Sequence, residues 1–391
     1  MLRRQLSLPP LTPDPGPPYS PPMSNLLKLI ELGQSYWLDN LSREMIADGE
    51  LKKRVSQQGL RGITSNPTIF NKSISSGDRY DAQLKKLLKK DLPTEEIYES
   101  LAVKDIQDAC DLLKPVFNAS DGVDGYVSLE VSPHLARDTE GTIKEARHLF
   151  KKVKRPNLLI KIPGTAEGIP AIEACLLDGI NVNITLLFSV ERYEELARAY
   201  IRALERRVKL GLQVKNIASV ASFFLSRIDV LVDKLLKEKG DAALSGKAAV
   251  ANAKLAYQST KKIFGSDGWK ALAQNGARVQ RLLWASTSTK NPDYSDVMYV
   301  EPLIGRDTVN TMPEETITAF ADHGKLAPDT IETGVDEARQ VMTGLEQAGI
   351  NFRNAAQQLE EEGIQKFVDP FDQLIKSLNE KRSRLLKPQM A

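Results

Sequence analysis

Short apolar or alternating runs recur along this chain, separated by longer stretches in which apolar residues return at helical spacing. The short runs fall at residues 36–39, 62–65, 126–131, 157–162, 180–186, 217–223, 279–285 and 297–304. Between them are helix signals. Pro170 stands in a first-turn position, with Ile172, Leu176 and a terminal Gly179 after it. Leu225, Ile228, Leu231, Val232, Leu235 and Leu236 lie on one helical face. Eight strand-like runs alternating with helices predict a parallel sheet closed into an α/β (β/α)8 barrel of the TIM type. An open doubly wound sheet is the competing arrangement, but no GxGxxG follows the first run. From about Asp336 onward the pattern is helical only, which predicts a C-terminal helical addition, not a second catalytic domain.

Side chains alternate along a strand, so the apolar side of each run should face the helices and the other side the barrel interior. In the fourth run this turns Leu158, Ile160 and Ile162 outward and leaves Leu159 and Lys161 inside, with Lys161 at the C-terminal end before Pro163. The same parity sends Tyr126, Ser128 and Glu130 inward from the third run and Asn181, Asn183 and Thr185 from the fifth. Trp37 with Asp39, and Gly62 with Thr64 and Asn66, follow from the first two. Polar groups from five successive runs thus converge on one end of one cavity, where an ordinary barrel core holds branched apolar residues. An internal salt bridge between Lys161 and Glu130 is the purely structural alternative, but buried ion pairs stabilise poorly against apolar packing.

Such a cluster suggests covalent amine catalysis. Desolvation favours the neutral amine, which attacks a carbonyl; the resulting iminium permits cleavage of the adjacent carbon–carbon bond. Asp39 and Glu130 are the candidate carboxylates for proton transfer, and Thr185 is placed to hold a relay water. Thr64, Asn66 and Asn183 are candidates to grip substrate. Ser222 and Arg227, where the sixth run meets its helix, could bind a phosphate, with Ser286 after the seventh run as a second contact. This chemistry needs no metal and no cofactor.

Composition narrows the picture further. Lys+Arg is 53 and Asp+Glu 51, so the balance of +2 predicts neither a nucleic-acid nor a membrane partner. Cys110 and Cys175 are the only cysteines and three histidines never cluster, which fits a reduced, cytoplasmic setting without a histidine-built metal site. Eight prolines between Pro9 and Pro22 predict that residues 1–22 form a Pro-rich, polyproline-like or disordered tail ahead of the barrel, which then occupies 23–391.

Three motifs carry a resemblance. Gly62-Ile63-Thr64-Ser65-Asn66-Pro67-Thr68, Leu159-Ile160-Lys161-Ile162-Pro163 and the stretch from Gly179 to Ser189 resemble, in order, the second-, fourth- and fifth-strand motifs of the transaldolase family. Trp284-Ala285-Ser286-Thr287-Ser288-Thr289-Lys290 is similar to the longer bacterial branch. The resemblance implies a Schiff base on Lys161, Asp39 as general acid/base, and Glu130 with Thr185 positioning a water. It also implies that Asn66 and Asn183 bind the dihydroxyacetone part while Ser222 and Arg227 bind phosphate. The implied reaction converts sedoheptulose 7-phosphate and glyceraldehyde 3-phosphate into erythrose 4-phosphate and fructose 6-phosphate, with sugar phosphates as the partners of a monomer or homodimer. Two alternatives stand beside it. A fructose 6-phosphate aldolase of the same fold belongs to a shorter branch with a tyrosine where Phe224 appears here. A non-catalytic barrel is the other, and loss of Lys161 or Asp39 would mark it.

Overall fold

The computed structural model describes residues 24–75 and 77–386; the expected Pro-rich tail lies outside them. Eight parallel strands close into a barrel in chain order. They are β1 (Gln34–Leu38), β2 (Gly62–Ile63), β3 (Tyr126–Glu130), β4 (Leu158–Pro163), β5 (Val182–Leu187), β6 (Ser219–Phe224), β7 (Arg281–Ala285) and β8 (Thr308–Met312). Every one is fully buried, as parallel strands wrapped by helices must be. No helix among the described residues is long and apolar enough to cross a membrane.

The eighth strand corrects the expectation from the sequence. Residues 297–304 are apolar and buried, but they form turns and a short 3-10 helix, Glu301–Leu303, that carries Pro302. A proline there denies the ladder a donor. The strand is instead the polar-looking segment Thr308–Met312, which pairs with β1 from Gln34↔Thr308 to Leu38↔Met312 and closes the barrel. Its inward Thr311 meets a polar cluster, and its outward Asn310 donates to the Tyr299 carbonyl at 3.0 Å.

Register turns parity into position. Glu130 pairs with Lys161 and Lys161 with Asn183, so the three lie in one row at the C-terminal end. The opposite end is sealed. Trp37 lies so close over Gly62 that a Cβ there would come within 2.4 Å of the indole. Below it the buried Arg281–Asp124 pair closes at 3.0 Å, and Arg281 also donates to Ser35 Oγ at 2.7 Å. These groups occupy the lower layers of the barrel, while Lys161 and its row stand at the mouth formed by the strand C-termini.

The helical addition is present. Helix Val335–Gln347 leads into Phe352–Leu386, whose stripe of Leu359, Phe367, Leu374 and Leu378 is buried against the barrel. Gly363 lets it approach: a Cβ there would stand 2.9 Å from Leu186 and 3.6 Å from an Arg227 nitrogen. Glu360, 3.9 Å from both Arg137 and Arg192, adds charge contacts on the same side. This helix therefore forms the roof of the mouth.

Candidate active site

A small cavity of about 80 Å3 opens at the mouth, bounded by Asp39, Lys161, Ser222, Phe224, Arg227 and Phe367. Lys161 stands at its floor because β4 ends there. Its Nζ donates to Glu130 Oε2 at 3.2 Å and to the Ser65 carbonyl at 3.3 Å, and lies 5.1 Å from the Phe367 ring centre. The salt bridge foreseen as a structural alternative does exist, but its lysine faces the cavity. Burial pushes the Glu130 carboxyl above its ordinary 4.5, against the pull of Lys161. Glu130 Oε1 and Thr185 Oγ1 are both buried without a protein partner.

Asp39 follows β1, where its backbone N–H donates to the Met312 carbonyl at 2.9 Å. Thr64 Oγ1 donates to Asp39 Oδ1 at 2.6 Å, and the Thr311 hydroxyl stands 2.7 Å behind Thr64. With Thr64 committed to Asp39, Thr311 is the donor to Thr64, giving a relay of two hydroxyls. Burial raises the Asp39 carboxyl above its ordinary 3.8, opposed by Lys161, the Thr64 hydroxyl and Arg227.

Asn66 accepts from the Ile69 N–H at 3.0 Å, capping its helix and leaving its amide nitrogen to line the cavity. Asn183 sits one layer below. Its amide nitrogen donates to Ser128 Oγ at 3.0 Å and its carbonyl accepts from Ser222 Oγ at 2.7 Å, so it bears on the cavity through Ser222. Arg227 lies in the first turn of helix Leu225–Glu238, with its guanidinium 4.9 Å from the Phe224 ring and 5.6 Å from that of Phe367. One of its terminal nitrogens is buried without a protein partner, and burial lowers its pKa against the raising pull of Asp39 and Glu130. A cation packed against two rings, lining a cavity at the start of a helix, has the chemistry that suits an anion. Ser286 adopts a left-handed φ of 54° after β7, which brings its hydroxyl within 2.8 Å of Ser226 Oγ at the rim.

The structure thus gathers Asp39, Thr64, Asn66, Lys161, Ser222, Arg227 and Ser286 around one cavity, with Glu130 bonded to Lys161 and Asn183 beneath. Thr185 is two pairing steps above Asn183, the next residue on the inward face of β5. Sequence reasoning missed Phe367 and Thr311. The spacing of Leu359, Gly363, Phe367 and Phe371 along one helical face marks a packed stripe, but nothing in it says that the partner is a lysine. Thr311 was hidden by the misplaced eighth strand.

Comparison with known proteins shows the family. Residues 36–378 match the family model described as transaldolase/fructose-6-phosphate aldolase. "Transaldolase 2" of a Nostoc species is 53% identical over 94% of this chain and 99% of its own length. The transaldolase of Trichodesmium erythraeum is 52% identical over 93% and 98%, and that of Thermobifida fusca 47% identical over 90% and 96%. The chain belongs to the transaldolase/fructose-6-phosphate aldolase family.

Proposed function

We propose that this enzyme is a transaldolase that moves a dihydroxyacetone unit from sedoheptulose 7-phosphate to glyceraldehyde 3-phosphate through a Schiff base on Lys161. The products are erythrose 4-phosphate and fructose 6-phosphate, a step of the pentose phosphate pathway. The observation that carries the reading is Lys161 at the floor of the cavity, hydrogen-bonded to a carboxyl that burial makes a better proton acceptor.

A proton passes from Lys161 Nζ to Glu130 Oε2 along their hydrogen bond, freeing the amine. The amine attacks C2 of the ketose, and loss of water leaves an iminium. Asp39 takes the proton of the C4 hydroxyl, the C3–C4 bond breaks, and its electrons enter the iminium to give an enamine on Lys161. The Thr64–Thr311 relay holds Asp39 in place. The released aldehyde leaves, the acceptor aldehyde enters, and the same steps run in reverse. Glu130 and Thr185 position the water that forms and hydrolyses the imine. Asn66 and Asn183 orient the three-carbon unit; Ser222, expected at the phosphate, spends its hydroxyl proton on Asn183 and acts with it, and Arg227 with the neighbouring helix N–H groups and Ser286 takes phosphate.

Phe224 supports transfer over release as free dihydroxyacetone. Its ring lines the cavity and offers no proton to the enamine carbon. Two free, buried cysteines support a cytoplasmic working place. Borohydride added with fructose 6-phosphate should fix a hexose phosphate or triose adduct on Lys161. An unmodified lysine, in a preparation active in the coupled transfer assay, would overturn the Schiff-base assignment.

A further inference from the structure

A second, larger cavity of about 1180 Å3 lies beside the barrel mouth, between helices Thr94–Ala119 and Thr139–Val153 and the C-terminal helix. Exposed Glu95 and Asp372 stand at its rim, and buried Ala102, Val103 and Leu129 form its walls. Glu130 also lines it, although Glu130 is not among the residues lining the smaller cavity around Lys161. The two oxygens of this carboxyl therefore divide. Oε2 bonds Lys161, while Oε1 is buried without a protein partner. Asn66 lines both cavities, and the Lys161–Glu130 hydrogen bond links a residue lining the smaller one to a residue lining the larger. In the lining of the larger cavity Tyr98 packs edge-on against Phe70 at 5.9 Å and Phe371 at 5.5 Å. Tyr98 also feels the Glu130 charge, which adds to burial in raising its phenol.

We propose that this cavity is the water port of the active site: a route to Glu130, separate from the sugar entrance, by which the water of imine chemistry leaves and returns. The proposal rests on the Schiff-base reading of Lys161. When the amine nitrogen bonds to C2, the C2–O bond breaks and the oxygen departs as water. Of its two protons, one comes from the amine nitrogen and one from the Glu130 carboxyl. That water is made at the floor of a cavity whose mouth is filled by the rest of the sugar phosphate and roofed by Phe367. Glu130 Oε1, buried and without a protein partner, is an acceptor left over for it, and Glu130 itself is part of the lining of the larger cavity. A separate port lets water exchange at the imine while the sugar remains bound.

The test uses oxygen exchange. Fructose 6-phosphate is incubated with the enzyme in ¹⁸O-labelled water without acceptor aldehyde, and label entering the C2 carbonyl is followed by mass spectrometry. Ala102→Phe narrows the port from a wall residue that touches neither lysine nor sugar, and Ala102→Leu narrows it less. Exchange at saturating sugar should fall about tenfold in Ala102→Phe and by an intermediate factor in Ala102→Leu. KM for fructose 6-phosphate and the amount of borohydride-trapped adduct should stay within about twofold of wild type. If the phenylalanine variant does not fold, the graded effect of leucine carries the test. Wild-type exchange in a folded variant overturns the port. A raised KM with unchanged saturated exchange also overturns it, by making the cavity part of the sugar path. Failure to trap any adduct on the wild-type enzyme is a different outcome, since it removes the Schiff-base reading itself.

Discussion

Replacing Lys161 with methionine tests both halves of the lysine's role, as nucleophile and as the charge that keeps a buried carboxyl ionised. Methionine fills much of the same space without a charge or a donor, so the 3.2 Å contact to Glu130 and the 3.3 Å contact to the Ser65 carbonyl are lost. Breaking a buried pair by removing one partner generally costs about 3–5 kcal/mol. Glu130 has a cheaper way out, which is to take a proton. Its ordinary value is 4.5, and each pH unit above that makes protonation about 1.4 kcal/mol dearer. The ceiling on the penalty is then about 3.4 kcal/mol near pH 7 and about 1.4 near pH 5.5. The sign follows from linkage. A carboxyl whose folded pKa is raised contributes stability that is complete below its unfolded value and is lost as pH rises toward the folded one. The melting-temperature gap between wild type and Lys161→Met should therefore widen with pH. For a chain this long, about 2 kcal/mol corresponds to about 2–3 °C between those two pH values. Calorimetry at both pH values, beside coupled transfer and borohydride trapping, measures all of it. Residual transfer activity refutes Lys161 as the nucleophile, and a gap independent of pH refutes the ionised Glu130 partner.

Three further changes probe the rest of the site. Asp39→Asn should still form the imine, trapped by borohydride with fructose 6-phosphate, while transfer falls at least about a hundredfold; loss of the adduct would show that Asp39 acts before cleavage. Arg227→Ala should raise KM for phosphorylated aldehydes by the equivalent of about 1.5–3 kcal/mol and leave unphosphorylated glyceraldehyde nearly unaffected. Equal effects on both acceptors would place the phosphate elsewhere. Phe224→Tyr puts a phenolic hydroxyl beside the enamine, so the ratio of free-dihydroxyacetone chemistry to transfer should rise; a wild-type ratio in a folded variant refutes Phe224 as the water- and proton-excluding wall.

The barrel and its lysine could be read from the chain because two periodicities do different work. The apolar faces of β3, β4 and β5 are strict enough that the polar alternates, Glu130, Lys161 and Asn183, fall inside with no other assumption, and the registers align them. The same rule failed at β8. Thr308–Met312 is short and its inward Thr311 serves the polar cluster, so hydrophobicity had no face to mark, whereas the loop at 297–304 is buried and apolar for reasons of packing. Interaction by distance was equally invisible. That Phe367, roughly two hundred residues beyond Lys161, lies over its Nζ depends on where Gly363 allows the last helix to cross, which no local pattern encodes. Asn183 shows the intermediate case: its inward direction was legible, but not that both ends of its amide are bound to Ser128 and Ser222.

The roof explains why a barrel of this kind carries its last helix at all. Barrel loops alone leave the strand C-termini open to water, and the Schiff-base chemistry proposed for Lys161, with a neutral amine and an unprotonated enamine, would call for a dry ceiling. Phe367 supplies one by lying over Lys161 and over Arg227 at once, together with Phe224. The positions around it show how the helix is fitted. Gly363 brings it against Leu186, itself held at a left-handed φ of 59° beside the register shift of β5. A leucine costs energy in that conformation, and here it turns the end of β5 beneath the helix, next to Thr185. Glu360, whose carboxyl burial raises above its ordinary value, stands between Arg137 and Arg192 at distances too long for full pairing. The helix is thus pressed down by apolar contacts along Phe367, Leu374 and Leu378 and held only loosely by charge at Glu360.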